Sequence, residues 1–554
     1  MSKFRPLAAS VIAFGLIACK DTLQVANQTD PDRTRALGRP SDVESFIGST
    51  YAQIQNATLG GSNDDLQTQL QVMGMENTSA LANFAMGPRG AIPRTPIENT
   101  RNSTGDDGDY RDFVVLERAA RMATIGIARL KVLTLGSPAQ DARARSFARF
   151  SQGVAFGNLA LAYDSAAIVS ENDDPQSIVP LSDYTAVMNA GLALLDSAIA
   201  IARANPGAFP LPLTWISGQA LDTTSYFRFI RSYKARFRAG VARTPAERAA
   251  ADWNTIIADA NAGITADFNI AMNPTAGWDV IWPVQAFATG PANWHQMSQF
   301  WMGMADGSGG YDGWLATTPA NRTPFLVVSA DKRFPQGASR NAQIADTLRS
   351  GYRTFSGLPY VRNRQAGEDQ PGQPLQISMY DFYRSRSFFT AGRIGNYPIM
   401  TRAEIRLLAA EGYIRTGNFA AATARIDSSR ANIGGLPQAA GMADTVSAIP
   451  GAGSCVPRVP DALAAAGPYK GSKCGTLWDA LKWEYRMETM YTGYGMWYFA
   501  GRGWGDLPEG TALYWPVPYQ EMDTRREPFY PAGGRNRPGG APAGNYGLFA
   551  GGVY

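Results

Sequence analysis

The chain has 554 residues, and its 51 basic and 47 acidic side chains leave a formal net charge of +4. This near balance, with no basic run interleaved with aromatic residues, argues against nucleic acid as a partner. The single histidine, His295, excludes a His/Cys zinc site and leaves no second position for a histidine-based triad.

The first 19 residues have the pattern of a lipoprotein signal. A short basic region precedes an apolar run over residues 7–18, which has the length of a signal-peptide core. As a helix it would reach only about 18 Å, too short for a hydrocarbon layer of about 30 Å. The run ends in Leu-Ile-Ala-Cys, which resembles the bacterial lipobox and predicts lipidation of Cys19. The alternative is an ordinary secretory signal with a chance cysteine. We therefore expect a signal peptide over 1–18 and a lipidated tether over 19–40.

Helical periodicity dominates residues 41–268. It then fades over residues 269–400, where Gly, Pro, Asn, Asp and aromatic residues are frequent. The helical pattern returns in 401–554 with two segments joined by Gly417-Asn418, a pair similar to a tetratricopeptide unit. The chain is therefore predicted to be mainly α, with helix pairs and long loop-rich insertions. The individual helices are predicted over 113–134, 140–168, 183–204, 223–242, 246–264, 401–416, 419–431 and 477–491.

The loop-rich segment contains five of the twelve tryptophans within 37 residues. Flat aromatic rings on loops can stack on the apolar C–H face of a sugar, while polar neighbours bind its hydroxyls. Trp278 and Trp314 are flanked by glycine and are expected to be the most exposed, whereas Trp301 has a core-like context. The alternative is that these rings fill a small satellite core beneath the loops. The predicted ligand-binding residues are Trp278, Trp282, Trp294, Tyr311, Trp314, Asn293 and Asp312.

Two cysteines remain beside Cys19. Cys455 and Cys474 form an even pair in a chain predicted to leave the cytosol, which favours a disulfide over two free thiols.

Glu484 and Glu488 lie four apart on one helical face, and we interpret them as structural polar contacts rather than catalytic carboxylates. The stretch 306–312 lacks the spacing of a calcium loop and is interpreted as an ordinary turn. No catalytic residue, metal or cofactor is predicted.

The order of these features resembles the SusD/RagB family of outer-membrane nutrient-binding lipoproteins. The likeness is closest over 401–437, and it extends to 477–498, 514–522 and the segment after Cys19. The chain departs from the family pattern at 495–497, where the usual Arg-Trp and following acid are missing, and it is identified as a divergent member. The matching positions are Asp42, Tyr51, Arg402, Glu404, Glu411, Gly417, Arg430, Leu436, Pro437, Glu484, Arg486, Glu488 and Gly493.

The resemblance implies a SusD-like helical fold with tetratricopeptide-like pairs. It also implies an outer-membrane lipoprotein that faces the exterior, binds an oligomeric nutrient and delivers it to a TonB-dependent transporter. Family members bind and do not catalyse. The tryptophan cluster favours an oligosaccharide as ligand, and an oligopeptide remains the alternative. A lipoprotein glycan hydrolase is disfavoured by the single histidine and by the lack of a nucleophile-elbow motif.

Overall fold

The computed structural model describes residues 36–60, 65–79, 84–90, 94, 97–103, 109–174, 177–283, 295–318, 321–349, 357–365, 378–461, 471–508 and 510–530. The helices are α1 (Pro40–Gly48), α2 (Thr50–Thr58), α3 (Leu66–Met73), α4 (Met86–Gly90), α5 (Asp109–Arg129), α6 (Pro138–Ala162), α7 (Tyr184–Ala204), α8 (Thr223–Gly240), α9 (Pro245–Ala249), α10 (Trp253–Asn261), α11 (Gln299–Gly303), α12 (Gly310–Ala316), α13 (Arg340–Arg349), α14 (Arg386–Thr390), α15 (Arg402–Arg415), α16 (Phe419–Arg430), α17 (Leu477–Thr489), α18 (Met496–Trp504) and α19 (Tyr519–Arg525). The strands are β1 (Thr78–Ser79), β2 (Ser165–Ala167), β3 (Leu181–Asp183), β4 (Phe268–Met272), β5 (His295–Gln296), β6 (Val361–Asn363), β7 (Tyr380–Phe382), β8 (Gly395–Met400), β9 (Arg458–Pro460) and β10 (Ser472–Cys474).

Most long helices begin at a polar cap that the sequence shows. Asp183 accepts hydrogen bonds from the first amides of α7, and Thr401 does the same for α15. Two predicted helices are wrong in extent. The helix predicted over 140–168 ends at Ala162, because the chain turns into β2, which pairs with β3. The helix predicted over 246–264 is two helices, because Asp252 caps a new one by accepting from the Thr255 amide.

Helices α6, α7 and α8 pack closely around small residues. A Cβ on Gly157 would lie 2.2 Å from the Phe237 ring, and one on Gly153 would lie 2.8 Å from the Gly191 carbonyl oxygen. The glycines therefore allow the helix backbones to approach. Helix α7 is long and apolar enough to span a membrane by length and composition alone, but it packs against α6 and α8 as a core helix.

The predicted tetratricopeptide-like pair is present as α15 and α16. Gly417 adopts a left-handed φ of +79° in the turn, which an L side chain rarely adopts. Asn418 then caps α16 by accepting from the Ala421 amide. Helix α10 packs on α15, where a Cβ on Gly412 would lie 2.6 Å from Ile257. The fold is mainly α, as predicted.

The described strands form five two-stranded antiparallel sheets. In one of them β4 pairs with β8, and Ile270 lies opposite Tyr397. The two ends of the loop-rich segment therefore lie side by side against the helical body. The division into the predicted regions 41–268, 269–400 and 401–554 stays a prediction, and regions 1–18 and most of 19–40 lie outside the described residues.

Helix α17 is held to the loop-rich segment by a buried charge network. Arg333 Nη1 donates to Glu484 at 2.7 Å and to Glu488 at 3.1 Å, and all three side chains are buried. Burial raises the pKa of Glu484 to about 7 although Arg333 lowers it. Both carboxylates are thus structural contacts, as predicted.

Candidate functional site

The four described tryptophans of the loop-rich segment lie in the core. Trp282 and Tyr311 are 1% exposed, Trp314 is 5% and Trp278 is 7% exposed. Trp278 and Trp314 are the most exposed of the four described tryptophans, as predicted, but at these values they are buried, so the expectation of exposed stacking rings is wrong. Trp301, which is 3% exposed, is a core residue as predicted. Trp294 and Asn293 lie outside the described residues.

The buried rings do not form one platform in the part of the chain that is described. Trp278 packs near Tyr51, whereas Trp282 lies against Tyr491 with ring centroids 4.3 Å apart. Trp314 lies near Tyr311, with the Arg322 guanidinium 4.3 Å from its ring centroid. A loop segment with little regular structure gains stability by burying its own large aromatic side chains. A ligand-stacking role for these residues stays a prediction.

Asp312, a predicted ligand-binding residue, forms a hydrogen bond with the protein's own backbone. Its carboxylate accepts a hydrogen bond of 2.6 Å from the Ser472 amide, and its side chain is 42% exposed. It therefore joins α12 to the β9–β10 hairpin. In the same turn Asp306 accepts from the amides of Ser308, Tyr311 and Val328, which satisfies its carboxylate as in an ordinary turn.

The predicted disulfide is present. Cys455 and Cys474 are bonded, with Cα atoms 5.7 Å apart, and they close the loop that carries β9 and β10. Cys19, the predicted lipidation site, lies outside the described residues. Those residues contain no group of three or more His, Cys, Asp or Glu side chains placed to hold a metal ion.

One tryptophan differs from all the others that the structure describes. Ten of these eleven tryptophans are buried, and Trp478 is partly exposed. It lies in a cleft of about 560 Å³, here called the Trp478 cleft. This volume is within the range of small-molecule sites. The cleft is lined by Ile414, Arg415, Thr445, Thr476, Trp478, Asp479, Lys482, Trp504 and Asp506.

The first turn of α17 positions Trp478. Thr476 accepts a hydrogen bond from the Asp479 amide, and the Asp479 carboxylate accepts from the Thr476 amide at 2.8 Å. This capping box fixes the helix start. Trp478 and Lys482 are four residues apart, so they share one face of the helix. The buried Glu484 and Glu488 lie on another face. The helix is buried all the way from Ala480 to Thr489, so its polar and apolar positions do not mark an exposed and a buried side, and no sequence pattern singles out Trp478.

Ion pairs form the walls of the cleft. Arg415 Nε donates to Glu411 at 3.0 Å, and its guanidinium carbon lies 4.7 Å from the Trp478 ring centroid. Burial lowers the pKa of Arg415, Glu411 opposes this, and Arg248 lowers the pKa further. On the facing side, Lys482 and Arg486 donate to Asp506 at 2.9 and 2.6 Å. Burial raises the pKa of Asp506, but the two cations outweigh it and the pKa is lowered.

A second cleft, of about 480 Å³, lies between α7, α8 and α9 and is called the Tyr184 cleft. Its lining is mainly apolar, with Met188, Leu192 and Val241 among its residues. The Tyr184 hydroxyl donates to Glu247 at 3.3 Å at one edge. This cleft offers apolar contact area, whereas the Trp478 cleft combines two tryptophans, Trp478 and the buried Trp504, with several polar groups.

No protein-family model matches the chain, and no curated protein matches it in sequence. Solved structures do resemble it. A SusD superfamily protein from Bacteroides vulgatus is 13% identical with a TM-score of 0.51, and the match covers 89% of this chain and 98% of that one. A SusD homolog from Parabacteroides distasonis is 13% identical with a TM-score of 0.52, covering 87% and 93%. A laminarin binding SusD-like protein is 13% identical with a TM-score of 0.50, covering 90% and 99%. These matches confirm the predicted SusD-like fold.

Proposed function

We propose that this chain, which has the SusD-like fold, is a surface lipoprotein that captures an oligosaccharide in the Trp478 cleft and delivers it to a TonB-dependent transporter. The observation that carries the proposal is the position of Trp478. It is the one partly exposed tryptophan among those described, and it lies in a cleft lined by hydroxyl, carboxylate and cationic side chains.

The chemistry of the cleft suits a saccharide. An indole ring offers a flat apolar surface with little conformational entropy to lose, and the C–H face of a pyranose can pack on it. Thr445, Thr476 and Asp479 surround the ring and can exchange hydrogen bonds with sugar hydroxyls. The cation–π contact with Arg415 restricts the indole before the ligand arrives.

The fold comparison supports the ligand class. One structural neighbour is a laminarin binding SusD-like protein, and we extend carbohydrate binding to this chain. The lipid anchor at Cys19, the outer-membrane location and the transporter partner rest on the signal pattern and on the family resemblance. A binding protein held by a lipid cannot itself move a ligand through a membrane, so the proposal requires a channel-forming partner.

Catalysis is not part of the proposal. Glu484 and Glu488 are the pair of carboxylates that the sequence places four residues apart on one helix, but both bind Arg333 in the core. A glycosidase needs its two carboxyl groups in a cleft that admits substrate. These two groups do not meet that requirement.

Peptide import is the second candidate function. The Tyr184 cleft favours it, because its apolar lining fits aliphatic or aromatic peptide side chains better than sugar hydroxyls. Under this alternative the Trp478 cleft would have no role in binding the nutrient.

Calorimetric titration of residues 20–554 separates the candidates. The panel contains neutral and acidic oligosaccharides, including laminari-oligosaccharides, together with mixed oligopeptides. We expect an oligosaccharide to bind and Trp478→Ala to weaken that binding about tenfold, the range of one lost stacking contact. Trp278→Phe is the matched control, since it alters a buried tryptophan of the predicted cluster and should leave affinity unchanged.

Two results would contradict the proposal. If Trp278→Phe weakens saccharide binding and Trp478→Ala does not, the site belongs to the loop-rich segment. If peptides alone bind, and Leu192→Ala rather than Trp478→Ala weakens them, the protein is a peptide importer subunit.

A further inference from the structure

The wall of the Trp478 cleft contains two guanidinium groups that share one carboxylate. Arg248 donates to Glu411 through Nε at 2.8 Å and through Nη2 at 2.6 Å, and each side chain of this pair is 1% exposed. Arg415 contacts one oxygen of the same Glu411, Oε1, through Nε and Nη2, each at 3.0 Å. Because Arg248 binds both oxygens of the Glu411 carboxylate, the negative charge of Glu411 mainly compensates the positive charge of Arg248. The trio therefore carries an excess positive charge.

The excess positive charge lies at the cleft. Arg248 is buried and also donates to the Ala239 carbonyl at 2.8 Å. The Glu411 carboxylate already accepts hydrogen bonds from both arginines, and the Trp504 indole N–H donates to it at 3.1 Å as well. Arg415, in contrast, is 18% exposed and lines the cleft. The guanidinium with incomplete compensation is therefore the one that a ligand can reach.

The other carboxylates of the cleft are occupied. Asp506 accepts from both Lys482 and Arg486. Asp479 accepts from the amide and hydroxyl of Thr476 and lies 3.9 Å from Lys482. Neither acid has an ion-pair contact with Arg415. The positive charge beside Trp478 is thus a feature of the site and is not cancelled by the cleft's own acids.

A uronic acid residue has the two groups that this arrangement fits. Its ring has an apolar C–H face, and a carboxylate is attached to the same ring. The Arg415 guanidinium carbon lies 4.7 Å from the Trp478 ring centroid and 5.0 Å from the Trp253 ring centroid. Arg415 therefore covers part of the indole, and a sugar that packs on the exposed remainder of the ring is within reach of its guanidinium. The Arg415 fork uses Nε and Nη2 for Glu411, which leaves Nη1 to donate to the ligand, and a charge-assisted contact of this kind favours a carboxylate over a hydroxyl.

We infer that the ligand of the Trp478 cleft is an acidic oligosaccharide, whose carboxylate pairs with Arg415 while its ring packs on Trp478. This inference rests on the proposed function, and it narrows the ligand from oligosaccharides in general to those that contain uronic acids.

Matched ligands test the charge directly. Oligomers of galacturonate, mannuronate and glucuronate are titrated into residues 20–554, each beside its own methyl ester, which keeps the carbon skeleton and removes the charge. We expect at least one acid to bind about tenfold more tightly than its ester, as for one charge-assisted pair. Its affinity should fall as salt rises from about 0.05 to about 0.5 M, while that of the ester should stay nearly constant.

Substitutions of Arg415 test whether this residue binds the carboxylate of the ligand. Arg415→Gln should reduce the preference for acid over ester to about twofold or less, and Arg415→Lys should keep part of it, because it retains the charge but not the fork. Arg425→Gln is the control. Arg425 makes a similar cation–π contact, with its guanidinium carbon 4.5 Å from the Tyr413 ring centroid, and does not line the cleft. It should leave the preference unchanged.

The outcomes separate this inference from the proposed function. Tighter binding of esters or neutral oligosaccharides than of acids, still dependent on Trp478, would overturn the inference and leave the proposed function intact. An acid preference that survives Arg415→Gln would also overturn it. Failure of every saccharide to bind the folded protein would overturn the proposed function, and the inference with it.

Discussion

The tryptophans at positions 278–314 and Trp478 are in opposite environments. The four described members of the first group are 7% exposed or less and contact other aromatic rings. Trp478 lies at the start of a helix, partly exposed and beside Arg415 and Lys482. The comparison shows that a local concentration of tryptophan indicates where loops need a core. Trp478 lies in the first turn of α17, where the helix keeps its partly exposed residues, and this exposure is what favours it as the proposed binding surface.

The largest expected effect is the loss of a buried ring. Trp282→Ala should lower the free energy of unfolding by about 3–5 kcal/mol, because it removes contacts with Tyr397 and Tyr491 and leaves a cavity. Chemical denaturation measures the change, and Trp282→Phe should cost clearly less. A loss below about 1 kcal/mol would mean that this region is not a core and would remove the contrast with Trp478.

The disulfide should have the next largest effect. It closes a loop with a sequence separation of 19 residues, for which the chain-entropy model gives about 3 kcal/mol. The double variant Cys455→Ser/Cys474→Ser should therefore have a lower Tm than the oxidised protein, as measured by calorimetry. A reducing agent should lower the Tm of the parent chain and leave that of the variant unchanged. Equal Tm values for the parent with and without reductant would contradict this.

A buried acid should make the stability of the aromatic core depend on pH. Burial raises the pKa of Glu76 from 4.5 to about 8, although the Tyr491 amide donates to its carboxylate. The folded chain therefore keeps a proton that the unfolded chain loses above pH 4.5. The stability associated with this group is complete below the unfolded pKa and decreases as pH rises towards the folded pKa.

Glu76→Gln should remove that decrease. Between pH 5 and 8 the unfolding free energy of the parent should fall more than that of the variant, by up to about 1.4 kcal/mol per pH unit for a single group. Urea denaturation across this range measures the difference. Glu98→Gln, at an exposed acid, is the control and should follow the parent. Parallel pH profiles for the parent and Glu76→Gln would show that Glu76 has an ordinary pKa.

The smallest effect on stability is expected at the cleft. Trp478→Ala should change the free energy of unfolding by about 1 kcal/mol or less, because the ring is already partly in water. The same variant should weaken oligosaccharide binding, so stability and binding are affected by different tryptophans. A destabilisation as large as that of Trp282→Ala would show that Trp478 is a core residue and would end the comparison.

Short-range sequence signals specify the local structure of this chain. Caps such as Asp183 and Thr401 define where helices begin, and Gly417-Asn418 defines the turn of the α15–α16 pair. These signals act over a few residues, so they can be recognised without the fold. The pairing of Cys455 with Cys474 was also predictable, because the chain has three cysteines and the predicted lipidation of Cys19 leaves two, which allow one intramolecular pairing.

Which aromatic and charged groups can reach a ligand depends instead on the tertiary contacts. Arg248 and Glu411 are 163 positions apart, yet their ion pair leaves Arg415 with its excess charge. Trp278 and Trp314 have flexible glycine neighbours, and packing against distant rings and cations nevertheless buries them. Burial and charge compensation depend on contacts between distant segments. Local propensity carries no information about those contacts, because the same short sequence can be covered or exposed by whatever packs against it.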